Sequence, residues 1–392
     1  MSIILSVSSS RADVGILAPV WRALAAEPEM ELQILLTGAH VSDLTLATNL
    51  LPGGAKIWRA GTDLAGRGAA EAAAAVPEIA AAMVRVIDQI TPDIVLVVGD
   101  RLDMLPAVMA TLAYNLPIIH LHGGESSEGA VDERIRHAIS KLAHLHCVAT
   151  VDAGNRLNQM GEEPWRIHVT GAPGLDSLMA APHLSAGELA SELGLASVDN
   201  FILVTVHPET NRGDPFGPLD AVLAALDAKP QPTVITAPNA DPGGAEMRDR
   251  IAAFAGARPC AVFRDTLGVR LYANAMRFAT VMLGNSSSGI VEAGLFGLPV
   301  INVGGRQDGR VCGSNVHHCA ADGKAVSNLL VQIDKAPSAP RAARISLYGD
   351  GHAAPRITGV IKNRPAQDKL LTKRFSDKVV QFSPPWAEIS AA

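Results

Sequence analysis

The stretch GNSSSGIVEAGLFGLPVIN, residues 284–302, contains the pattern that indicates the fold of this chain. An apolar segment, ATVML, precedes it, and the small residues GNSSSG then lead into a helical pattern that carries Glu292 about one turn in. A buried strand, a turn of small residues and a helix together form the strand-to-helix unit of an α/β protein. Small polar residues cap a helix, and the open amides at a helix start also favour an anion such as phosphate. The stretch therefore predicts a fold class and a candidate anion site.

Strand candidates of the same kind recur along the chain and alternate with helical patterns. They are SIILSVS (2–8), ELQILLTG (31–38), DIVLVVGD (93–100), PIIHLHGG (117–124), HLHCVAT (144–150), FILVTVHP (201–208), PTVITAPN (232–239), ATVMLGN (279–285) and PVINVG (299–304). Apolar strands separated by helices indicate parallel sheets covered on both faces. We predict an α/β protein with two doubly wound, Rossmann-like domains, 1–178 and 179–363, that face each other across a cleft. A weakly packed C-terminal extension, 364–392, follows them.

Charge and hydrophobicity exclude several functional classes. The formal net charge of -6 comes without a stripe of Lys and Arg, so we expect no nucleic-acid partner. No run of residues approaches the roughly 18 uninterrupted apolar residues that a membrane span needs, so we expect no membrane partner. The N-terminal pattern MSIILSVSSSRAD resembles a first strand and its turn rather than a signal peptide, which favours the cytoplasm.

Cysteine usage indicates neither a disulfide framework nor a metal site. Four cysteines are too few to staple a chain of 392 residues. The segment CGSNVHHC, residues 312–319, brings two Cys and two His together, but its spacing differs from that of common zinc sites. We predict a polar loop with buried thiols there, and no metal.

In the first half of the chain, charged residues follow the predicted strands. Arg11 offers a forked cation and Asp13 can cap the next helix, while Asp100 and Arg101 follow the strand at 93–100. Glu125 follows two glycines at a strand end, where burial and neighbours can raise the pKa of its carboxyl group for proton transfer.

Two further acids, Asp132 and Glu133, begin a helical pattern shortly after Glu125. Asp132 and Arg136 are four residues apart, so a solvated surface ion pair is the alternative to a catalytic role for Asp132.

The second half of the chain carries anion-binding groups at its strand ends instead. His207 follows one strand, and Asn239 and Asp241 follow the next. Ser286, Ser287 and Ser288 lie at the predicted helix start. Glu292 can cap that helix or accept hydrogen bonds from ribose hydroxyls, and Arg306 follows the last predicted strand.

Eight motifs in this order resemble the hydrolysing UDP-N-acetylglucosamine 2-epimerases of sialic acid biosynthesis, including the epimerase half of the bifunctional animal enzyme. The motifs are SRADVG, GDRLD, HLHGGE, VDERIRHAISKLAHLH, HPETN, NADPGG, GNSSSGIVEAGLFGLPVINVGGRQDGR and YGDGHAAPRI. The resemblance implies a GT-B fold, a nucleotide bound mainly by the second domain, and a reaction that needs neither metal nor cofactor. It also implies a homodimer or homotetramer acting on a small-molecule nucleotide sugar.

The same resemblance implies roles for individual residues. The family's acid and base positions match Asp100, Glu125 and Asp132, with Glu133 as a neighbouring candidate, and its histidine matches His207. Nucleotide contacts match Arg11, Arg101, Asn239, Asp241, Ser286, Ser287, Glu292 and Arg306, and the adjacent Asp13 and Ser288 complete the candidate binding residues.

The chemistry that we expect starts with loss of UDP from carbon 1, because a carboxylate alone cannot remove the hydrogen on carbon 2. One acid takes that proton and gives 2-acetamidoglucal; a second protonates carbon 2 from the opposite face while water adds at carbon 1. The products would be N-acetylmannosamine and UDP.

Other functions stay open at this point: a GT-B glycosyltransferase, a non-hydrolysing epimerase, and a sugar-nucleotide sensor without turnover. Relatives that act on UDP-2,4-diacetamido-2,4,6-trideoxyglucose or on GDP-linked sugars share the same motifs.

Overall fold

A computed structural model of the protein describes residues 1–42, 50–64, 67–126, 131–209, 214–239, 243–335 and 346–377. Asp241, a predicted nucleotide contact, lies outside these ranges. In this part of the chain the strands form two parallel sheets, ordered β3-β2-β1-β4-β5-β6-β7 and β10-β9-β8-β11-β12-β13. The strands are β1 (Ser2–Ser8), β2 (Met30–Leu36), β3 (Lys56–Arg59), β4 (Ile94–Val98), β5 (Ile118–Leu121), β6 (Leu145–Val148), β7 (Ile167–Val169), β8 (Ile202–Thr205), β9 (Thr233–Thr236), β10 (Ala261–Arg264), β11 (Val281–Gly284), β12 (Val300–Val303) and β13 (Val316–Cys319).

Helices connect the strands and cover both sheets. They are α1 (Arg11–Ala25), α2 (Ala39–Ser42), α3 (Ala69–Ile90), α4 (Met104–Ala113), α5 (Val131–Leu142), α6 (Val151–Gln159), α7 (Gly174–Met179), α8 (Ala186–Leu193), α9 (Gly217–Ala228), α10 (Gly244–Gly256), α11 (Gly268–Phe278), α12 (Ser287–Val291), α13 (Gly323–Lys335), α14 (Ala353–Lys362) and α15 (Gln367–Leu371). None of the helices in the described part is both long and apolar enough to cross a bilayer. The predicted fold class, two doubly wound parallel-sheet domains of the GT-B type, is confirmed.

Burial explains why the central strands are so apolar. Every residue of β4, sequence IVLVV, is buried, as is every residue of β8 and β11. On one face of the first sheet, the fully buried Trp21 of α1 donates a hydrogen bond from Nε1 to Ser6 Oγ at 2.8 Å. Strands buried on both faces have no solvated side, so their sequences do not alternate between apolar and polar residues.

The segment CGSNVHHC does not form the loop that its sequence predicts. Its last four residues are β13, which pairs with β12 at the outer edge of the second sheet. The exposed His317 and His318 in the middle of this strand gave it the polar character of a loop.

The strand order places one crevice in each domain. It reverses between β1 and β4 in the first sheet and between β8 and β11 in the second. Loops that leave such a pair at its carboxyl ends diverge and leave room for a ligand. Ser9 and Asp100 border the first crevice, and His207 and Asn285 border the second. The candidate residues therefore lie where a doubly wound fold binds its ligands.

In the part of the chain that the structure describes, the segments near residues 172 and 348 lie between the two sheets' domains and contact each other. Near α7 the main-chain N–H of Ala172 donates to the carbonyl of Tyr348 at 2.7 Å. The Asp176 carboxylate accepts hydrogen bonds from the N–H groups of Ala353 and Ala354, at 2.9 and 2.7 Å, and so caps α14. These contacts thus fix the start of α14 against the first domain.

After the segment near residue 348, α14 packs on α1, and its Ile357 and Ile361 are fully buried in the core of the first domain. The sequence prediction places these residues in the second domain. We therefore propose that the first structural unit comprises residues 353–377 in addition to 1–178.

The segment after residue 363 packs closely as far as residue 377, in contrast to the weak packing that its sequence predicts. The fully buried Arg166 donates to the carbonyls of Leu370 and Thr372, at 2.9 and 2.8 Å. Lys373 forms a 2.7 Å ion pair with the buried Glu162. Burial alone would raise the pKa of the Glu162 carboxyl, but hydrogen bonds from His146, Lys141 and Lys373 outweigh it and lower that pKa to about 2.

Candidate active site

Two predicted acids meet around one buried guanidinium at the carboxyl ends of β4 and β5. Arg136 of α5 forms ion pairs with Asp100 and, at 2.9 Å, with Glu133. The same guanidinium donates to the main-chain carbonyl of Glu125 at 3.0 Å. Arg136 is only 3% exposed, so it belongs to the interior of the cluster and not to the solvated surface. The structure thus brings Asp100, Glu125 and Glu133 together through an arginine that the sequence did not single out as a site residue.

Glu125 lies between two cationic or potentially cationic groups. His122 Nδ1 is 2.6 Å from Glu125 Oε1, and Arg310 Nη1 is 3.9 Å from Glu125 Oε2. Burial alone would raise the pKa of the Glu125 carboxyl group. Electrostatic attraction to His122, a hydrogen bond with His122 and attraction to Arg310 outweigh burial, so the pKa is lowered overall. The expectation of a raised pKa is wrong, because the sequence could not show which partners the fold supplies.

Asp132 lies in the first turn of α5 and is exposed, while Glu133 beside it is half-buried. Glu133 also accepts a hydrogen bond from Ser126 Oγ at 3.1 Å and contacts His137 Nε2 at 3.1 Å. These hydrogen bonds and the ion pair with Arg136 make Glu133 part of the acid cluster, whereas a catalytic role of Asp132 stays a prediction.

A buried histidine holds the turn that carries Asp100. His120 of β5 contacts the Gly99 carbonyl through Nε2 at 2.8 Å and Ser140 Oγ of α5 through Nδ1 at 3.1 Å. Burial lowers the pKa of His120 to about 3, so the ring is neutral at physiological pH. A neutral ring donates through one nitrogen only, and a carbonyl can only accept, so Nε2 carries the proton.

The residues after β1 cap the N-terminus of α1. The Asp13 carboxylate accepts hydrogen bonds from the N–H groups of Ser9 and Ser10, at 2.7 and 2.9 Å, and from Ser9 Oγ at 2.9 Å. Ser10 completes a capping box with Asp13. The predicted cap is thus present, and ligand contact by Asp13 would have to compete with it. Arg11 and Arg101 are exposed beside this crevice, with Arg101 Nε 3.4 Å from Asp103 Oδ1.

In the second domain, His207 is fixed on three sides at the end of β8. The main-chain N–H of His207 donates to Asn285 Oδ1 at 2.7 Å. The ring Nδ1 of His207 accepts from the main-chain N–H of Asn239 at 3.0 Å. Since Nδ1 accepts, a neutral ring carries its proton on Nε2, which lies 3.3 Å from Ser286 Oγ. Three predicted residues, His207, Asn239 and Ser286, are therefore in direct contact.

The helix predicted after β11 is shorter than its sequence pattern indicates. α12 has five residues and begins with the half-buried Ser287, after the N-cap Ser286. Ser288 Oγ is 2.6 Å from the Tyr272 hydroxyl, so this serine is tied to α11. Glu292 lies at the C-terminal end of α12 and not in its first turn. Burial raises the pKa of the Glu292 carboxyl to about 7.

Glu209, a buried acid that is not among the predicted site residues, shapes the loop after β12. Glu209, 6% exposed, accepts hydrogen bonds from the N–H groups of Gly305 and Arg306, at 2.8 and 2.9 Å. This loop carries the half-buried Arg306 and continues to Arg310, the partner of Glu125. Glu209 belongs to the HPETN motif, so this motif is the sequence feature that could have identified it.

In the described residues, no group of three or more His, Cys, Asp or Glu side chains is arranged to hold a metal ion. Cys312 donates weakly to the Arg310 carbonyl at 3.3 Å, and His318 Nδ1 contacts Asn302 Nδ2 at 3.1 Å. These side chains therefore have other partners.

Comparison with known proteins places this geometry in a family. A family model described as UDP-N-acetylglucosamine 2-epimerase matches residues 22–362. A Legionella pneumophila protein named UDP-N,N'-diacetylbacillosamine 2-epimerase (hydrolyzing) is 33% identical over 383 residues, covering 94% of this chain and 98% of the relative. A Neisseria meningitidis protein named UDP-N-acetylglucosamine 2-epimerase is 30% identical over 384 residues, covering 96% and 99%.

A solved structure shares the fold. The Neisseria meningitidis UDP-GlcNAc 2-epimerase bound to UDP-GlcNAc superposes with a TM-score of 0.72 at 19% identity, covering 92% of this chain and 100% of that one. The sequence motifs, the paired crevices and these matches agree, and the chain belongs to the UDP-N-acetylglucosamine 2-epimerase family, with a hydrolysing enzyme among its relatives.

Proposed function

We propose that the protein is a hydrolysing UDP-N-acetylglucosamine 2-epimerase, which converts UDP-N-acetylglucosamine and water to N-acetylmannosamine and UDP. One observation carries the proposal: the contact between Glu125 and Arg310 joins the acid cluster of the first domain to the anion-binding loops of the second. A sugar held there would have its carbon 2 beside acids and its diphosphate beside cations and amides.

The acid cluster fits an elimination followed by rehydration. Loss of UDP builds positive charge on the sugar ring and makes the proton on carbon 2 labile. A group of the cluster takes that proton, which gives 2-acetamidoglucal, and another protonates carbon 2 from the opposite face while water adds at carbon 1. Asp100, Glu125, Asp132 and Glu133 are the proposed acids. Their surroundings differ, since Asp100 and Glu133 share Arg136 whereas Glu125 pairs with His122, and different surroundings allow acid and base steps at one pH.

The second domain supplies the nucleotide site in this proposal. His207 and Arg306 would stabilise the departing diphosphate, with Ser286, Ser287 and Ser288 beside it. Glu292 would accept hydrogen bonds from the ribose hydroxyls. Asn239 and Asp241 from the second domain, and Arg11, Asp13 and Arg101 from the first, complete the proposed contacts.

The Legionella pneumophila relative favours a second substrate. Its name specifies UDP-N,N'-diacetylbacillosamine, and it is 33% identical to this chain, against 30% for the Neisseria meningitidis relative named for UDP-N-acetylglucosamine. Both reactions would break and form the same bonds at carbons 1 and 2. We place the enzyme in sialic or related nonulosonic acid biosynthesis, and propose a cytoplasmic homodimer or homotetramer.

One experiment tests the reaction and the substrate. The protein is incubated with UDP-N-acetylglucosamine, and separately with UDP-N,N'-diacetylbacillosamine, in deuterated water, and phosphorus and proton NMR spectra are followed. We expect free UDP and a 2-epimeric free sugar with deuterium at carbon 2. A UDP-linked product would indicate a non-hydrolysing epimerase, and binding without turnover would indicate a sensor.

A further inference from the structure

We propose that His122 is a proton-transferring residue of this reaction, acting through Nε2, and that Glu125 acts through it as the carboxylate that orients its ring. This inference rests on the proposed function and refines the role of one acid in it. Glu125 would then be a positioning residue and His122 the group that touches the substrate.

The backbone of His122 is the first observation. Its φ is +61°, in the left-handed region that residues other than glycine rarely adopt. Gly124, two residues on, also has a positive φ, of +74°, and a Cβ there would lie 2.3 Å from the Ala153 carbonyl oxygen, so this turn packs closely against α6. Non-glycine residues held in such a conformation are strained and cluster at functional sites. The fold thus holds this side chain at the carboxyl end of β5, beside the acid cluster.

The two ring nitrogens are the second observation. Nδ1 lies 2.6 Å from Glu125 Oε1, and the other carboxylate oxygen faces Arg310 at 3.9 Å. A carboxylate only accepts hydrogen bonds, so the 2.6 Å contact requires the proton on Nδ1. A neutral ring then bears its lone pair on Nε2. This nitrogen is buried and has no hydrogen-bond partner in the described part of the chain.

An unpartnered buried nitrogen calls for an explanation, and its surroundings supply one. His146 has a similar arrangement, with Nε2 3.0 Å from Glu162 and an unpartnered Nδ1, but it lies within β6 and is fully buried. His122 lies past its strand, three residues from Glu125 and at the domain contact that Glu125 makes. His137 also contacts an acid of the cluster, with Nε2 3.1 Å from Glu133 Oε1, and its Nδ1 is likewise buried without a hydrogen-bond partner in the described residues. His122 differs from His137 in its left-handed backbone and in a carboxylate partner that reaches Arg310 of the second domain.

The step balances with the groups present. The electron pair of the bond between carbon 2 and its hydrogen forms the double bond to carbon 1, and the pair of the bond between carbon 1 and oxygen leaves with UDP. The proton passes to His122 Nε2, and Glu125 stabilises the imidazolium until the proton returns to solvent. In rehydration another acid of the cluster protonates carbon 2, and the proton that the attacking water loses restores that acid.

The test uses two substitutions that suit the left-handed backbone. Asn115 and Asn200 already adopt φ values of 51° and 53° in this chain, so His122→Asn can keep the conformation and donate to Glu125 from the position of Nδ1. His122→Gly keeps the conformation and removes the donor. Asparagine cannot accept a proton at neutral pH, so both variants should lose turnover of UDP-N-acetylglucosamine by ~10² or more, with UDP affinity and melting temperature near those of the wild type. The control His146→Gln, in the buried pair outside the site, should keep turnover per folded molecule within about threefold of the wild type.

Three outcomes would overturn the proposal. If His122→Asn alone keeps wild-type turnover, His122 does not transfer a proton and only orients Glu125. If both variants keep wild-type turnover, His122 has no role in the reaction. If a variant fails to fold, nitrogen-15 NMR of the histidine rings in the wild-type protein still decides, because a His122 ring protonated on Nε2 in the free enzyme would contradict the proposal. A wild-type protein without turnover would instead refute the proposed function itself.

Discussion

Arg136 on α5 forms a buried ion pair with Asp100, which follows β4. Arg136 is 3% exposed and also holds Glu133, so one arginine sets the relative positions of two candidate acids. Burial lowers the pKa of Arg136 to about 10, which still leaves it charged at neutral pH.

We therefore expect Arg136→Lys to lower turnover at least ~10-fold, since lysine cannot hold two carboxylates with a planar fork. Loss of a charged hydrogen bond in a buried network should also cost about 1 to 3 kcal/mol of the free energy of unfolding. The control is Arg134→Lys, an exposed position two residues earlier on the same helix, which should change neither quantity measurably. Equal behaviour of the two variants in steady-state assays and denaturant titrations would contradict this role of Arg136.

Amide variants separate acid chemistry from charge pairing at Glu125 and Asp132. Glu125→Gln should lower turnover by ~10² or more with little effect on UDP affinity, because it cannot stabilise a charged partner or exchange a proton. Asp132→Asn should do the same if Asp132 is an acid of the reaction. A solvated Asp132 would instead cost less than ~1 kcal/mol of stability and leave turnover unchanged. Single-turnover kinetics and calorimetry with UDP distinguish these results.

Glu292 should make UDP binding depend on pH. Hydrogen bonds from ribose hydroxyls would favour the ionised carboxyl, so binding should lower its pKa from about 7 and release a proton. UDP affinity should then rise with pH through this range. Glu292→Gln should remove that dependence, and Glu292→Ala should weaken binding by about 1 to 3 kcal/mol. Calorimetry in buffers of different ionisation enthalpy measures the proton release, and unchanged affinity in both variants would mean that Glu292 makes no ligand contact.

The same carboxyl should affect stability without any ligand. Its pKa is raised on folding from 4.5 to about 7, so the folded protein binds the proton more tightly than the unfolded chain. Its contribution is therefore lost progressively as pH rises from about 4.5 to 7. Glu292→Gln should stabilise the protein at pH 8 by up to about 3 kcal/mol, since each pKa unit corresponds to about 1.4 kcal/mol, and the gain should shrink towards pH 4. A gain independent of pH would point to packing instead of ionisation.

Gly304 should be sensitive to a single methyl group. Its φ is +82°, and a Cβ there would lie 2.4 Å from Glu209 Oε1, which holds the loop after β12. Gly304→Ala should therefore displace that loop, raise the Michaelis constant and lower the melting temperature. Gly15→Ala is the matched control, because a Cβ at Gly15 meets no atom within 4 Å, and alanine favours a helix by up to about 1 kcal/mol. Equal melting temperatures of the two variants would contradict the close contact at Gly304.

The sequence predicts the central strands of both sheets and misses their edges. All nine apolar segments form strands, and the four strands that they omit, β3, β7, β10 and β13, are the outer strands of the two sheets. β3, for example, has three exposed residues of four. An edge strand is paired on one side only and is less buried, so it lacks the continuous apolar pattern on which the prediction depends.

For the candidate site, the sequence predicts where residues lie in the fold better than it predicts which residues they contact. Asp100 and His207 could be placed at carboxyl ends because each follows its own strand. The pairing of Asp100 with Arg136 depends on how α5 crosses the sheet, and the lowered pKa of Glu125 depends partly on Arg310 from the other domain. Such contacts join residues far apart in the chain, so local sequence patterns cannot predict them.

The contact between the segments near residues 172 and 348 restricts how the cleft can open. With Ala172 bonded to Tyr348 and Asp176 holding the start of α14, the two covalent connections lie side by side. Because both connections lie along one line, we expect a swing about that line to be the easiest way for the cleft to open. Substrate entry and product release should accordingly follow one hinge coordinate, along which Arg310 moves away from Glu125.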